Sequence, residues 1–230
     1  MFPIKDTIRS RSFPIITWII IIANALVFLH ELRLSEAELQ NFIYSFGLIG
    51  ERIVWTNPFT WFPFISHMFL HGGWVHFLSN MWTFFIFADN VEDHMGSLRF
   101  ALFYVLGGIV AGVLQVMLGG APDIPSVGAS GAIAAVLGAY FLFFPRAKVV
   151  TFIPIFILPW FIDIPAILYL GFWFISQLFS GLAALSTQAA AGGIAWWAHI
   201  GGFIFGLLLG GLFGLRKKTQ RWYRDEAYPW

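Results

Sequence analysis

Apolar residues run almost unbroken along most of this chain, and the short polar stretches between them mark out its elements. A basic lead, Met1–Ser12, gives way to an apolar run from Phe13 to Leu29 that reads as a first helix. Ala23-Asn24-Ala25 has the small-residue look of a signal cleavage site, but the apolar run continues past it, so the helix is read as uncleaved. Glu31–Trp61 is a polar and aromatic connection, within which Ser35–Phe46 has the pattern of a surface helix. A second long helix is expected after Gly72-Gly73, ending near Asp89, where DNVEDHMGSLR (89–99) reads as a charged turn. A third covers about Leu98–Leu118, and a Gly/Pro loop then precedes a fourth over Val127–Phe144.

The stretch Pro145–Pro165 is apolar but carries Arg146, Lys148, Asp163 and three further prolines, Pro154, Pro159 and Pro165. Proline removes a helical donor, so an apolar connector lying along the membrane interface is expected there rather than a span. A fifth helix follows over Ala166–Leu185, then an uncharged loop to Gly193 and a sixth helix over Ile194–Leu215. The fold class expected is all-α: a polytopic membrane bundle of six transmembrane helices (13–215) between short tails at 1–12 and 216–230.

Charge sets the expected orientation. With a cytoplasmic N-terminus and six spans, eleven Lys and Arg residues fall inside, and only Arg33 and Arg52 outside. Both termini are then cytoplasmic, and the second, fourth and sixth helices all enter from the outer face.

Composition agrees. Of the 230 residues 59% are hydrophobic and 11% charged, and mean hydropathy is +0.78, too little charge to cover a soluble domain of this length. The 27 Phe and 11 Trp suit lipid-facing surfaces and interfacial belts. A net charge of +1 says nothing useful about nucleic acid, no basic run interleaves with aromatics outside the tail, and no nucleic-acid partner is expected. The lack of Cys excludes disulfides, thiolate metal sites and a cysteine nucleophile.

Polar residues inside apolar helices are costly and invite a functional reading. They are His67, His71, His76 and Asn80 around the second helix, Ser130 in the fourth and His199 in the sixth. His76 and Asn80, four apart, share a helical face. Asn80, Ser130 and His199 each follow the outer start of their helix by a few residues, which places them roughly 5 to 10 Å below the outer surface. Gly202, Gly206, Gly210 and Gly214 form a seam in the sixth helix, and Ser130, Ala134 and Gly138 form a matching small stripe in the fourth. If the seams face each other, Ser130 meets His199, and a serine beside a neutral imidazole is the minimal activated nucleophile. No Asp or Glu lies at that depth, so the expectation is a dyad, with Asn80, His76 and the Ser130 amide as oxyanion donors.

Taken singly, these residues have plainer readings. The small residues around Ser130, namely Gly128, Ala129, Gly131 and Ala132, also suit two helices in contact, and GxSG alone favours that role. His199 alone suits a packing histidine, Asn80 a helix-joining amide, and His67, His71 and His76 an interfacial cluster. Their joint placement at one depth favours the catalytic reading.

Three segments, HMFLHGGWVHFLSN (67–80), GASG (128–131) and AHIGGFIFG (198–206), lie in this order on these helices. With them the chain resembles the rhomboid family of intramembrane serine proteases over nearly the whole six-helix core. The resemblance implies Ser130 as nucleophile, His199 as general base, His76 and Asn80 at the oxyanion site, and His71, like His67, in a structural role. It implies no cofactor and no metal. Substrates are implied to be transmembrane helices entering from the bilayer near the fifth helix and the Ala183–Gly193 loop. Two features depart from the family pattern. Phe62 and Pro63 stand where many members have Trp-Arg, and Ala134 stands where many have an aromatic residue stacked on the catalytic histidine.

Two other classes compete. A non-catalytic, helix-binding relative usually lacks the serine or the histidine, and both are present. A haem or metal protein has histidines to draw on, but His71 and His76 lack the HExxH zinc spacing. The favoured reading is a serine endopeptidase in a cell membrane, prokaryotic by expectation, with its site open to the external side and its oligomeric state unassigned.

Overall fold

A computed structural model describes residues 2–155, 158–187 and 194–214. Eight α-helices, three short 3-10 helices and three strands are assigned among them. The expected C-terminal tail and most of the loop before residue 194 lie outside the described residues.

Helix α1 spans Ile15–Glu31 and buries Ile20, Asn24 and Phe28, a single stripe at four-residue spacing that packs on α4. Helix α2, Glu36–Phe46, buries none of its residues and rests on local chemistry. The Ser35 hydroxyl accepts from the Glu38 amide, and the Glu38 carboxylate accepts from the Ser35 amide at 2.8 Å, a reciprocal cap that satisfies two amides otherwise without partners. A short helix α3, Pro63–Ser66, leads to α4, Trp74–Met95; α5, Ser97–Leu118, follows directly.

The hub is α6, Ser130–Phe143. Every residue from Gly131 to Tyr140 is buried, so this helix is apolar all round because protein surrounds it on every side. At 14 residues it is about 21 Å long, shorter than a lipid-facing span needs. Helices α7, Ala166–Thr187, and α8, Trp196–Phe213, complete the bundle. Among the described residues α5, α7 and α8 are long and apolar enough to cross a membrane, while α1 and α6 are shorter apolar helices.

Two expectations are corrected. The connector 145–165 is a β-hairpin, β2 (Lys148–Ile155) with β3 (Leu158–Pro165), and β1 (Phe2–Asp6) adds to β2 as a third antiparallel strand. The fold is therefore mainly helical with a small sheet rather than all-α. Val149, Val150, Thr151, Ile162 and Ile164 favour a pleated surface, and the prolines pair opposite each other near the turn or close the last strand.

The charged turn expected at 89–99 is instead the last part of α4, which runs on to Met95 and turns only at Gly96, at φ +80°. Glu92 is the reason. It is 1% exposed, and its carboxylate accepts from the amides of Ile16 (3.0 Å) and Thr17 (2.8 Å) and from the hydroxyls of Thr17 (2.8 Å) and Ser97 (2.6 Å). An acid that reads as solvated in the sequence is a cap for the N-terminus of α1, where its charge meets the helix dipole.

Candidate active site

Ser130 is the first residue of α6, three residues later than the expected start of that helix. The approach is held extended. Ser126 and Leu48 exchange backbone hydrogen bonds of 2.8 and 3.0 Å, and the Gly128 amide donates to the His67 carbonyl at 2.9 Å. Gly128 takes φ +124°, and a Cβ on it would stand 2.6 Å from Nε2 of His76, so both backbone and neighbour require glycine here. As a result Ser130 sits where the first amides of α6 have no intrahelical acceptor.

Helix α8 carries His199 to the same place. Its Gly202 and Gly206 lie directly against the carbonyls of Gly131 and Ala135, and Gly138 of α6 lies against the Phe203 carbonyl. Gly131 is closed on its other side, where an added Cβ would be 2.7 Å from that of Ala111. Backbone contact of this kind fixes the helix separation without the play of long side chains. It leaves Nε2 of His199 2.8 Å from Oγ of Ser130. Nδ1 of His199 faces Oε1 of Gln177, in α7, at 2.7 Å.

Asn80 is 7% exposed and its Nδ2 has no hydrogen-bond partner among the described residues. That nitrogen lies 3.6 Å from where a Gly128 Cβ would be, so it faces the residues leading into Ser130. His76 accepts from the Gly72 amide through Nδ1 at 3.3 Å. Its neutral ring then carries the proton on Nε2, the nitrogen turned to Gly128, where it is a donor.

His67 and His71 are positioned differently. Nδ1 of His67 donates to the Pro63 carbonyl at 2.7 Å while the His67 carbonyl holds Gly128, so this residue braces the loop before Ser130. The His71 amide donates to both carboxylate oxygens of Glu31 at 3.2 Å, and its ring packs edge-on against Phe28 and Phe77. Among the described residues no group of three His, Cys, Asp or Glu side chains is placed to hold a metal.

Two further residues border the site that the pattern of the sequence did not single out. Gln177 touches His199, and Gln115 of α5 accepts from the Ala198 amide at 3.2 Å, next to His199. Each is an uncharged amide in an otherwise apolar helix, and that cost of burial was the signal available. Gln115 also lines a small cavity of about 10 Å³, room for one water-sized sphere, against Ser130, Ser126 and His67. Along α7 an apolar groove of about 390 Å³ includes Leu168, Phe172 and Trp173, and the Trp173 ring is 5.9 Å from that of His199.

Comparison with known proteins adds an independent result. Residues 58–216 match the family model described as the rhomboid domain. The chain is 38% identical over 80 residues to YdcA of Bacillus subtilis (strain 168), covering 35% of this chain and 40% of that protein. It is 26% identical over 172 residues to Rhomboid protein 1, mitochondrial, of Saccharomyces cerevisiae (71% of this chain, 45% of that protein). It is likewise 26% identical over 143 residues to Rhomboid protease GlpG of Salmonella choleraesuis (61% and 48%). The chain spans less than half the length of each of these curated relatives. The match covers most of the chain, including every helix that carries a residue of this site, and the chain is accordingly a multi-pass membrane protein belonging to the rhomboid family.

Proposed function

We propose that this chain is an intramembrane serine endopeptidase that cleaves transmembrane-helix substrates with a Ser130–His199 dyad. The observation that carries the reading is the 2.8 Å approach of His199 Nε2 to Ser130 Oγ between two helices in backbone contact. His199 removes the hydroxyl proton as Oγ attacks the substrate carbonyl carbon, forming a tetrahedral intermediate. The oxyanion is met by the Ser130 amide, Asn80 Nδ2 and His76 Nε2. His199 then passes its proton to the leaving amine as the C–N bond breaks. Water, deprotonated by the same imidazole, hydrolyses the acyl-enzyme and restores Ser130.

His67 and His71 are assigned structural roles, and Gly128, Gly131, Gly138, Gly202 and Gly206 are assigned the close helix packing that sets the dyad distance. Relatives named as rhomboid proteases support the reaction class. The apolar groove along α7 that reaches Trp173 supports an approach of apolar substrate helices from that side. The distribution of Lys and Arg supports six spans with both termini cytoplasmic and the site open to the external face.

The test uses the detergent-purified protein and a fluorescent fluorophosphonate. Labelling of the wild type and its loss in Ser130→Ala and His199→Ala are expected, together with cleavage of a tagged single-span substrate by the wild type alone. Cleavage retained by Ser130→Ala overturns the assignment.

A further inference from the structure

Many rhomboid proteins are expected to hold the catalytic histidine with an aromatic residue one turn after the serine, and this chain has Ala134 there, fully buried. Something else must orient the His199 ring. Its indole neighbours, Trp173 at 5.9 Å and Trp196 at 6.2 Å, touch it without stacking on it. The one side-chain hydrogen-bond partner of its ring besides Ser130 among the described residues is Gln177, with Oε1 2.7 Å from Nδ1.

The Gln177 amide is itself fixed. Its Nε2 donates to the Ser176 hydroxyl at 3.0 Å and toward the Trp173 carbonyl at 3.4 Å, and Ser176 spends its own proton on that carbonyl at 2.6 Å. Turning the amide over would set its oxygen against the Trp173 carbonyl, two acceptors face to face. Oε1 therefore points at His199 and, being an acceptor only, demands a proton on Nδ1. A neutral imidazole with its proton on Nδ1 presents a bare lone pair on Nε2, and that lone pair faces Ser130.

We propose that Gln177 is the positioning residue of the site, the third member of a Ser130–His199–Gln177 relay, holding His199 in the Nδ1–H tautomer and in line with Ser130. The inference rests on the Ser130–His199 reading above and adds what that reading lacks, a group that selects which nitrogen is the base. The amide differs from a carboxylate in one respect: it orients the ring without adding a negative charge to attract the imidazolium.

Free neutral histidine prefers its proton on Nε2, so the tautomer itself is the readout. In ¹⁵N-histidine-labelled protein in micelles, with His199 assigned by its loss in His199→Gln, wild type is expected to show a protonated Nδ1 and an unprotonated Nε2. Gln177→Leu is expected to move the proton toward Nε2. This measurement needs no cleavage, so it stands or falls separately from the protease assignment. An unprotonated Nδ1 in wild type, or an unchanged pattern in Gln177→Leu, overturns the proposal. In the cleavage assay Gln177→Leu is expected to lower kcat about 100-fold with KM within about twofold, the loss typical of a misplaced reacting group. Gln177→Glu, of the same size, is expected to retain cleavage and to move the acidic limb of the kcat/KM profile up by about one pH unit, because a carboxylate favours the imidazolium. An unmoved limb in Gln177→Glu counts against the proposal as decisively as full activity in Gln177→Leu.

Discussion

Gly202 of α8 rests on the carbonyl oxygen of Gly131 in α6 so closely that no side-chain atom fits between them. Gly131 follows Ser130 directly and Gly202 lies three residues after His199, so this backbone contact is the nearest fixed point to the dyad from both helices. Gly202→Ala must push the helices apart. Overpacking of this kind costs about 1–3 kcal/mol, and a displacement near 1 Å at the dyad costs about 100-fold in rate. Thermal unfolding in detergent and the rate of fluorophosphonate labelling are both expected to fall. The same change at Gly211, where an added Cβ meets no more than Leu142 at 3.9 Å, should leave both near wild type.

Asn80 gives a prediction of the opposite character, since it concerns rate and not stability. Its buried Nδ2 has no partner among the described residues, so removing it breaks no hydrogen bond of that nitrogen to any of them. An oxyanion donor is worth about 100- to 1,000-fold in kcat when its partner exists only in the transition state. Asn80→Ala is therefore expected to cut kcat by that factor, with KM and the melting temperature little changed. A steady-state cleavage assay with a melting curve separates this from a helix-joining role, which would lower the melting temperature first.

The helices that follow from apolar runs, such as 98–118 and 166–185, were legible in the sequence to within a few residues, because burial and lipid contact both ask for the same pattern. The meeting of α6 and α8 was legible too, since their small residues recur at helical spacing. What escaped depends on partners distant in the chain. Glu92 in DNVEDHMGSLR looks solvated until the amides of Ile16 and Thr17 are brought to it from 75 residues or more away. The hairpin 148–165 hid behind its prolines, which forbid a helix interior but are tolerated at strand ends. Gln177 carries no charge and matches no motif; the cost of burying its amide and the absence of an aromatic residue at Ala134 were the hints that His199 had another hold.

Glu92 is expected to be among the most sensitive positions outside the site. Four donors converge on its carboxylate, and two of them are amides of the first turn of α1. Glu92→Ala strands them in a buried setting, and hydrogen bonds to a charged group are worth about 1.5–3 kcal/mol each at most. A loss of about 3 kcal/mol is expected in denaturant unfolding from mixed micelles, with Glu92→Gln losing less because its oxygen still accepts. Equal losses in the two variants would mean that volume, not acceptance, is what the position supplies.

Asp6 links the N-terminal strand to the bundle and should make that link depend on pH. Its carboxylate accepts from the Tyr140 hydroxyl in α6 and from Asn90 Nδ2 in α4 at 2.9 Å, with Asp89 close by. Burial raises its pKa from 3.8 to about 7; the Tyr140 hydrogen bond opposes this and the charge of Asp89 adds to it. The folded state thus keeps a proton that the unfolded chain has already released, so stability must fall as pH rises across that interval. The contribution is fully present below about 3.8, is lost progressively as pH climbs to about 7, and changes no further above that. Asp6→Asn, which keeps a neutral side chain at every pH, should flatten this part of the profile and melt higher than wild type at pH 8. The same strand is tied down by Trp82, whose Nε1 donates to the Pro3 carbonyl at 2.7 Å. Trp82→Phe should therefore lower the melting temperature by a similar amount at pH 5 and pH 8, whereas a pH slope that survives in Asp6→Asn would assign the titration to another group.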